Sequence, residues 1–335
     1  MNEPGQIVGL IRAGTVSSLE IAGVANAGTG EPLRADSIFY VGSLAKQFVA
    51  ACVAVLAQEG RVATSDPVAA YVPGLPLWGA RVTLDHLIHH TSGLPGPVYA
   101  ADGLTPAGVP AYGTADQLAR ASAIERLQTE PGQAYAYSNE GYTLLGEVVA
   151  RAGGTSLAAF AAERLFAPMG MRDSFFRDAP TVLPARAARG HFEAEYGETY
   201  VEPARFHAVG PGGLWTTAQD LARWDAAFYD ERSVATRLTE RGRLTDGTPI
   251  HYAWGLSVRT HRGLPIHSHG GMFPGWMAKM VRFPTERTTV VVLANHERLD
   301  VGAVAFATAG EVLVDVLDPD GSQADATATA DRGHP

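Results

Sequence analysis

Lysine is almost missing from this chain of 335 residues: Lys46 and Lys279 are the only two, and arginine supplies the remaining positive charge. Acidic side chains outnumber basic ones, and the formal net charge is −9. Nucleic-acid binding needs Lys and Arg concentrated on one face to neutralise phosphates, so this balance argues against a nucleic-acid partner. Cysteine occurs once, as Cys52, which excludes an internal disulfide. It lies in the apolar run Phe48–Leu56 and reads as a packing residue, not a nucleophile. No apolar stretch approaches the roughly 20 residues of a membrane-spanning helix. The start, Met1–Gln6, lacks the basic residues and apolar core of a signal peptide. A soluble, cytoplasmic protein with no membrane partner is the expectation; oligomeric state is left open.

What remains is ordinary for a globular protein. The hydrophobic fraction is 46% and the charged fraction 18%, enough for a core of normal size in one large domain or two interleaved ones. Two β-like stretches, Gln6–Arg12 and Thr15–Val24, flank the hairpin signal Ala13-Gly14. Ser43–Glu59 has helical apolar spacing and ends at Gly60. Short helices are expected at Thr83–His90, Thr114–Gln128, Asn139–Arg151 and Thr155–Phe166. The segments Pro97–Gly113 and Arg177–His207 lack periodicity and read as long loops bordering a site. A further helix, Thr217–Tyr229, opens on what resembles a capping box, Thr217 with Asp220. Strands are expected at Ala253–Arg259, Trp276–Phe283 and Thr288–Ala294, then a helix at Val301–Leu317. From Asp318 to Pro335 the composition is that of a disordered tail.

The fold class inferred is α/β: an antiparallel sheet flanked by helices and built from both chain ends, with an inserted all-α domain. Residues 6–63 and 208–317 would form the sandwich, 64–207 the insertion and 318–335 the tail. A cleft between the two layers is a natural ligand site.

Three short motifs carry chemistry. Ser43-Leu44-Ala45-Lys46 opens a long helix, where positions i and i+3 share a face. A serine hydroxyl needs an adjacent base, and lysine serves when burial or a nearby cation keeps its amine neutral. Tyr137-Ser138-Asn139 offers a phenol that becomes a base near a cation, and an amide that could hold Lys46 or a substrate carbonyl. Read blandly, Tyr137 is core and Asn139 a helix cap. His269-Gly270-Gly271 precedes a strand, and its glycines let a substrate backbone approach closely. His269 would then bond the substrate or tune the Ser–Lys–Tyr group.

In this order Ser-x-x-Lys, Tyr-x-Asn and His-x-Gly resemble the serine β-lactamase-like and penicillin-binding-protein superfamily. The branch it looks most like holds class C β-lactamases, D-alanyl-D-alanine carboxypeptidases, D-aminopeptidases and related esterases. Phe39–Gly42, Glu59–Arg61, Asp66–Val68, His90–Pro95 and Gly212–Thr217 are also similar to that family, so the likeness spans roughly residues 7–316. It implies an α/β sandwich with an inserted α-domain, Ser43 as acylated nucleophile, and Lys46 and Tyr137 as its bases. It also implies substrate contacts from Asn139, His269, Gly270, Gly271 and Met272, with the Ser43 and Met272 N–H groups forming the oxyanion hole. No cofactor is implied. The third motif departs from the Lys-Thr-Gly of many relatives. A largely neutral His269 would anchor a carboxylate weakly, so an ester substrate is the first expectation and a D-peptide, amide or lactam the alternative.

Three competing readings stand beside it. His86, His89 and His90, with His267 and His269, could bind a metal, although no His-Glu-x-x-His signature accompanies them. On the hydrolase reading His90 packs or hydrogen-bonds beside the cleft. The chain could instead be a non-catalytic penicilloyl-binding sensor, or a biosynthetic acyltransferase using the same nucleophile.

Overall fold

The structure is a computed structural model that describes residues 2–96, 112–194, 197–201 and 206–318. Most of the expected loop Pro97–Gly113, part of Arg177–His207, and the expected tail beyond Asp318 lie outside these residues. A six-stranded sheet runs in the order Ser257–His261, Leu264–Phe273, Trp276–Phe283, Thr288–Ala294, Gln6–Arg12, Thr15–Ala22. Every neighbouring pair is antiparallel, so strands from both chain ends lie side by side. The hairpin turn is Ala13-Gly14, with φ of +48° and +79°, the left-handed pair that matches strand twist. Asn295 ties the ends together. Its Oδ1 accepts from the Gly5 N–H at 2.7 Å, and its Nδ2 reaches the carbonyls of Val24, Ala25 and Arg189.

Both sheet faces are covered, which is why Thr288–Ala294 is buried throughout and reads as a continuous apolar run. Val290 and Val292 face the helix Val301–Val312, while Val291 and Leu293 face the helices Ala218–Ala227 and Lys46–Gln58. Every residue from Lys46 to Ala54 is buried, Cys52 included, so this helix is the hub of the molecule. One ion pair is enclosed with it: Arg282 Nε donates to Asp225 Oδ1 at 2.6 Å, joined by Thr289 Oγ1 at 2.7 Å. Among the described residues no helix is long and apolar enough to cross a membrane.

Local chemistry moved several element ends. The helix beginning near Thr155 starts at Leu157, because Ser156 caps it by accepting from the Ala159 N–H, and it widens into a π turn at Ala162–Phe166. The helix from Thr114 ends at Ser122; just beyond, the Ile124 carbonyl accepts from the Trp78 indole at 2.6 Å. The strand expected at Ala253 begins at Ser257, because Gly255 turns at φ +76° against the Gln47 backbone. Thr217 does cap its helix, but the Asp220 carboxylate leaves the capping box to accept from the Asp173 N–H and Ser174 Oγ. The middle of the chain holds the helices Leu84–Ile88, Thr114–Ser122, Asn139–Gly153 and Leu157–Ala161. It also carries short strands, including the hairpin Gly190–Ala194 with Gly197–Val201. Asn139–Gly153 packs along Lys46–Gln58, which brings the first residues of two helices to one place.

Candidate active site

Ser43 sits not in the α-helix but in a 3₁₀ turn, Gly42–Ala45, and the α-helix starts at Lys46. A 3₁₀ turn has three residues per turn, so side chains at i and i+3 eclipse and Ser43 stands directly beside Lys46. The turn also presses on the sheet. Ser257–His261 pairs with its neighbour only as far as Ser268, and the strand edge beyond runs against Val41–Ser43. A Cβ at Gly271 would lie 1.9 Å from the Val41 carbonyl oxygen, and one at Gly42 would lie 2.7 Å from the Met272 nitrogen. Glycine at both positions permits this backbone-to-backbone contact; Gly42 also needs it for its φ of +50°. The main chains of Ser43 and Met272 therefore flank one point, and the Met272 side chain is exposed there.

Lys46 is fully buried and its Nζ meets three oxygens: Ser43 Oγ at 3.0 Å, Asn139 Oδ1 at 2.8 Å and the Pro211 carbonyl at 3.0 Å. Burial holds the amine well below its ordinary pKa, opposed in part by the charge of Glu140. Two helix N-termini converge here, and their partial positive charge disfavours an ammonium in the same way. Amide and peptide oxygens only accept, so Asn139 and Pro211 take the two N–H groups of a neutral amine. The remaining lone pair then faces the Ser43 hydroxyl. That is the arrangement of a base beside its nucleophile.

Each partner of Lys46 is held by its own element. Asn139 is the first residue of its helix, whose cap is not Asn139 but Ser138, accepting from the Gly141 N–H at 3.3 Å. Asn139 is thus free of capping and able to face Lys46. Pro211 lies in a turn fixed from below by Tyr40, whose hydroxyl accepts from the Gly213 N–H at 3.1 Å. The Tyr137 ring lies across Lys46, with Nζ 4.7 Å from its centroid. Ser43, Lys46, Tyr137 and Asn139 are brought together, as are Gly270, Gly271 and Met272 along the strand edge.

His269 is also at this edge, and its ring nitrogens serve the protein. Nδ1 is 2.6 Å from the Gly270 carbonyl, which can only accept, so Nδ1 carries a proton; Nε2 lies 2.9 Å from the Tyr252 hydroxyl. Burial raises the Tyr252 pKa far above its usual value, so that hydroxyl keeps its proton. Tyr252 and Pro211 were not singled out in the sequence. A carbonyl leaves no residue-type signal, and Tyr252 stands outside the three motifs; the glycines on either side of Pro211 are the only local sequence sign of its turn.

The histidines of the metal reading diverge. His86 Nδ1 accepts from the Thr83 N–H in a capping box, His89 Nδ1 faces Asp85, and His90 Nδ1 accepts from the Ser138 N–H. Among the described residues no three His, Cys, Asp or Glu side chains converge as a metal site would require.

A family model described as Beta-lactamase matches residues 1–312. Penicillin-binding protein 4* of Bacillus subtilis is 30% identical over 301 residues, covering 79% of this chain and 62% of that protein. A D-aminopeptidase of Cereibacter sphaeroides is 30% identical over 322 residues, covering 94% of this chain and 60% of the relative. The chain thus spans about three-fifths of the length of these relatives. Among solved structures, the octameric penicillin-binding protein homologue from Pyrococcus abyssi superposes with a TM-score of 0.82 at 23% identity, over 93% of this chain and 74% of that one. D-amino acid amidase from Ochrobactrum anthropi SV3 gives 0.75 at 22% identity, over 93% and 94%. With the family's model matched from residue 1 to 312 and its fold reproduced, the chain belongs to the Beta-lactamase family.

Proposed function

We propose that the chain is a serine hydrolase that forms an acyl-enzyme on Ser43, acting on amides and peptides of D-amino acids and on simple carboxylic esters. One observation carries this reading: a fully buried amine, Lys46 Nζ, 3.0 Å from the Ser43 hydroxyl. In the acylation step Lys46 Nζ takes the hydroxyl proton while Ser43 Oγ bonds to the substrate carbonyl carbon, and the carbonyl electron pair moves onto its oxygen. The N–H groups of Ser43 and Met272 receive that oxyanion. Collapse breaks the bond to the leaving nitrogen or oxygen, which recovers the proton from Lys46 by way of Tyr137. Water then repeats the sequence on the acyl-Ser43 ester and releases the acid.

The substrate class follows from charge. His269 is taken up by the Gly270 carbonyl and the Tyr252 hydroxyl, and Lys279 alternates away from Ala278 and Met280, onto the far sheet face. Neither residue offers a fixed cation to a substrate carboxylate, which favours amides and esters over carboxylate-bearing β-lactams. Relatives named D-aminopeptidase support D-amino-acid amides as the first class to test.

The experiment is a panel of D- and L-alaninamide, D- and L-phenylalaninamide, p-nitrophenyl acetate and a chromogenic cephalosporin, run beside fluorophosphonate labelling with mass spectrometry. The reading expects label on Ser43, turnover of D-amides or esters, and loss of both in Ser43→Ala. Label on another residue, or undiminished turnover in Ser43→Ala, would overturn it.

A further inference from the structure

The segment that carries Tyr137 is gripped from behind by one residue outside the reaction scheme, His90. The Ala136 N–H donates to the His90 carbonyl at 2.8 Å, and the Ser138 N–H donates to His90 Nδ1 at 3.1 Å. Two hydrogen bonds from one residue therefore straddle Tyr137. The two rings also pack, with centroids 4.4 Å apart and planes at 42°. The grip continues along the chain: the Gly132 N–H donates to the Thr91 carbonyl and the Gln128 N–H to the Gly93 carbonyl, both at 2.7 Å. His90 is 1% exposed and sits at φ +57°, a left-handed backbone that non-glycine residues rarely adopt. That backbone presents its carbonyl and its ring to the same segment. Strain of this kind persists only where the surroundings hold it.

From this geometry we infer that His90 is a positioning residue for the reaction: it holds the Tyr137 phenol ring across Lys46 by fixing the backbone on both sides. The inference rests on the proposed proton-carrying role of Tyr137. For Nδ1 to accept from Ser138, its lone pair must be free, so the imidazole acts as a neutral acceptor. The residue performs no proton transfer itself. It sets where Tyr137 stands, and displacement of a catalytic group by about 1 Å can cost about a hundredfold in rate.

Two substitutions test this. His90→Gly relieves the left-handed backbone and keeps the carbonyl, so it removes the imidazole acceptor and ring with little backbone strain. His90→Asn tolerates the same φ and restores an acceptor oxygen close to the place of Nδ1. Both are compared with wild type on its best amide or ester, with circular dichroism to fix the folded fraction. Per folded molecule, His90→Gly should lose about a hundredfold in kcat with KM within about threefold, and His90→Asn should return most of that loss. Unchanged kcat in His90→Gly, an effect confined to KM, or equal losses in the two variants would each overturn the inference. If wild type labels at Ser43 and turns over substrate, such a result removes the role of His90 alone. A wild type that neither labels nor turns over would remove the acyl-serine reading, and this inference with it.

Discussion

Two of the three oxygens around Lys46, those of Asn139 and Pro211, cannot give up a proton, and this makes the third contact chemically distinct. Asn139→Leu removes one of the acceptors that orient the amine. Its lone pair then loses its fixed direction toward Ser43, and kcat should fall by about a hundredfold on the substrate found by the panel. Undiminished kcat in that variant would mean Asn139 does not orient the base. Lys46 also has a signature in stability. Its folded pKa lies below the unfolded value, so in the window between them the unfolded chain holds the extra proton and stability rises with pH. Lys46→Met should therefore be inactive, more stable than wild type near neutrality, and flatter in its stability on the alkaline side; urea unfolding at several pH values checks this. At this scale the sequence was informative because lysine is so scarce. The spacing of Ser43 and Lys46 drew attention to that pair, the resemblance to the family added Tyr137 and Asn139, and the structure gathers all four. The Pro211 carbonyl could not be named, since any residue supplies the same atom.

The contact between the Ser43 turn and the edge of Leu264–Phe273 is the element-scale counterpart of that arrangement. Gly271→Ala would place a methyl 1.9 Å from the Val41 carbonyl, so the strand or the turn must shift. The expected outcome is a loss of about a hundredfold in kcat/KM with modest change in Tm, since the displaced groups are those that would meet the oxyanion. Behind the site, Asp225 locks the helix Ala218–Ala227 to Arg282 and Thr289 on the sheet. Asp225→Ala leaves the Arg282 guanidinium buried without its carboxylate and should cost about 3–5 kcal/mol in urea unfolding. Legibility differed by element for physical reasons. Trp276–Phe283 and Thr288–Ala294 were readable to the residue, because buried strands are dense in apolar side chains and here end at sharp turns. The start of Ser257–His261 was not, because a tertiary contact of Gly255 with Gln47 decides it. The 3₁₀ turn at Ser43 was hidden for a similar reason: it depends on Gly42 meeting Met272, residues more than two hundred positions apart.

Across the whole molecule, burial lowers the pKa of several histidines, His86, His191, His261 and His296 among them, and pushes His267 down to about 4. The sign is common to all. Between an unfolded value near 6.5 and the lower folded one, the unfolded chain binds the proton, so stability is complete above that window and falls as pH drops through it. His267 alone accounts for up to about 3 kcal/mol at about 1.4 kcal/mol per unit. Unfolding free energy should fall steadily from pH 7 to 4, and His267→Leu should show a visibly smaller fall; equal falls would remove His267 as a contributor. The sheet assembled from both chain ends was readable from the distribution of strand and helix patterns, with helices concentrated in the middle. What holds those ends, Asn295 and its backbone partners, carries no periodic signal. The proposed chemistry turns on the charge of one amine, and the scarcity of lysine makes that charge directly measurable. Lysine labelled with ¹³C at Cε gives two side-chain resonances, one each from Lys46 and Lys279, with Lys46→Met assigning them. The Lys46 signal is predicted to titrate well below the ordinary lysine value and to report a neutral amine while common lysines are still charged. A Lys46 signal that titrates at or above that ordinary value would contradict the account.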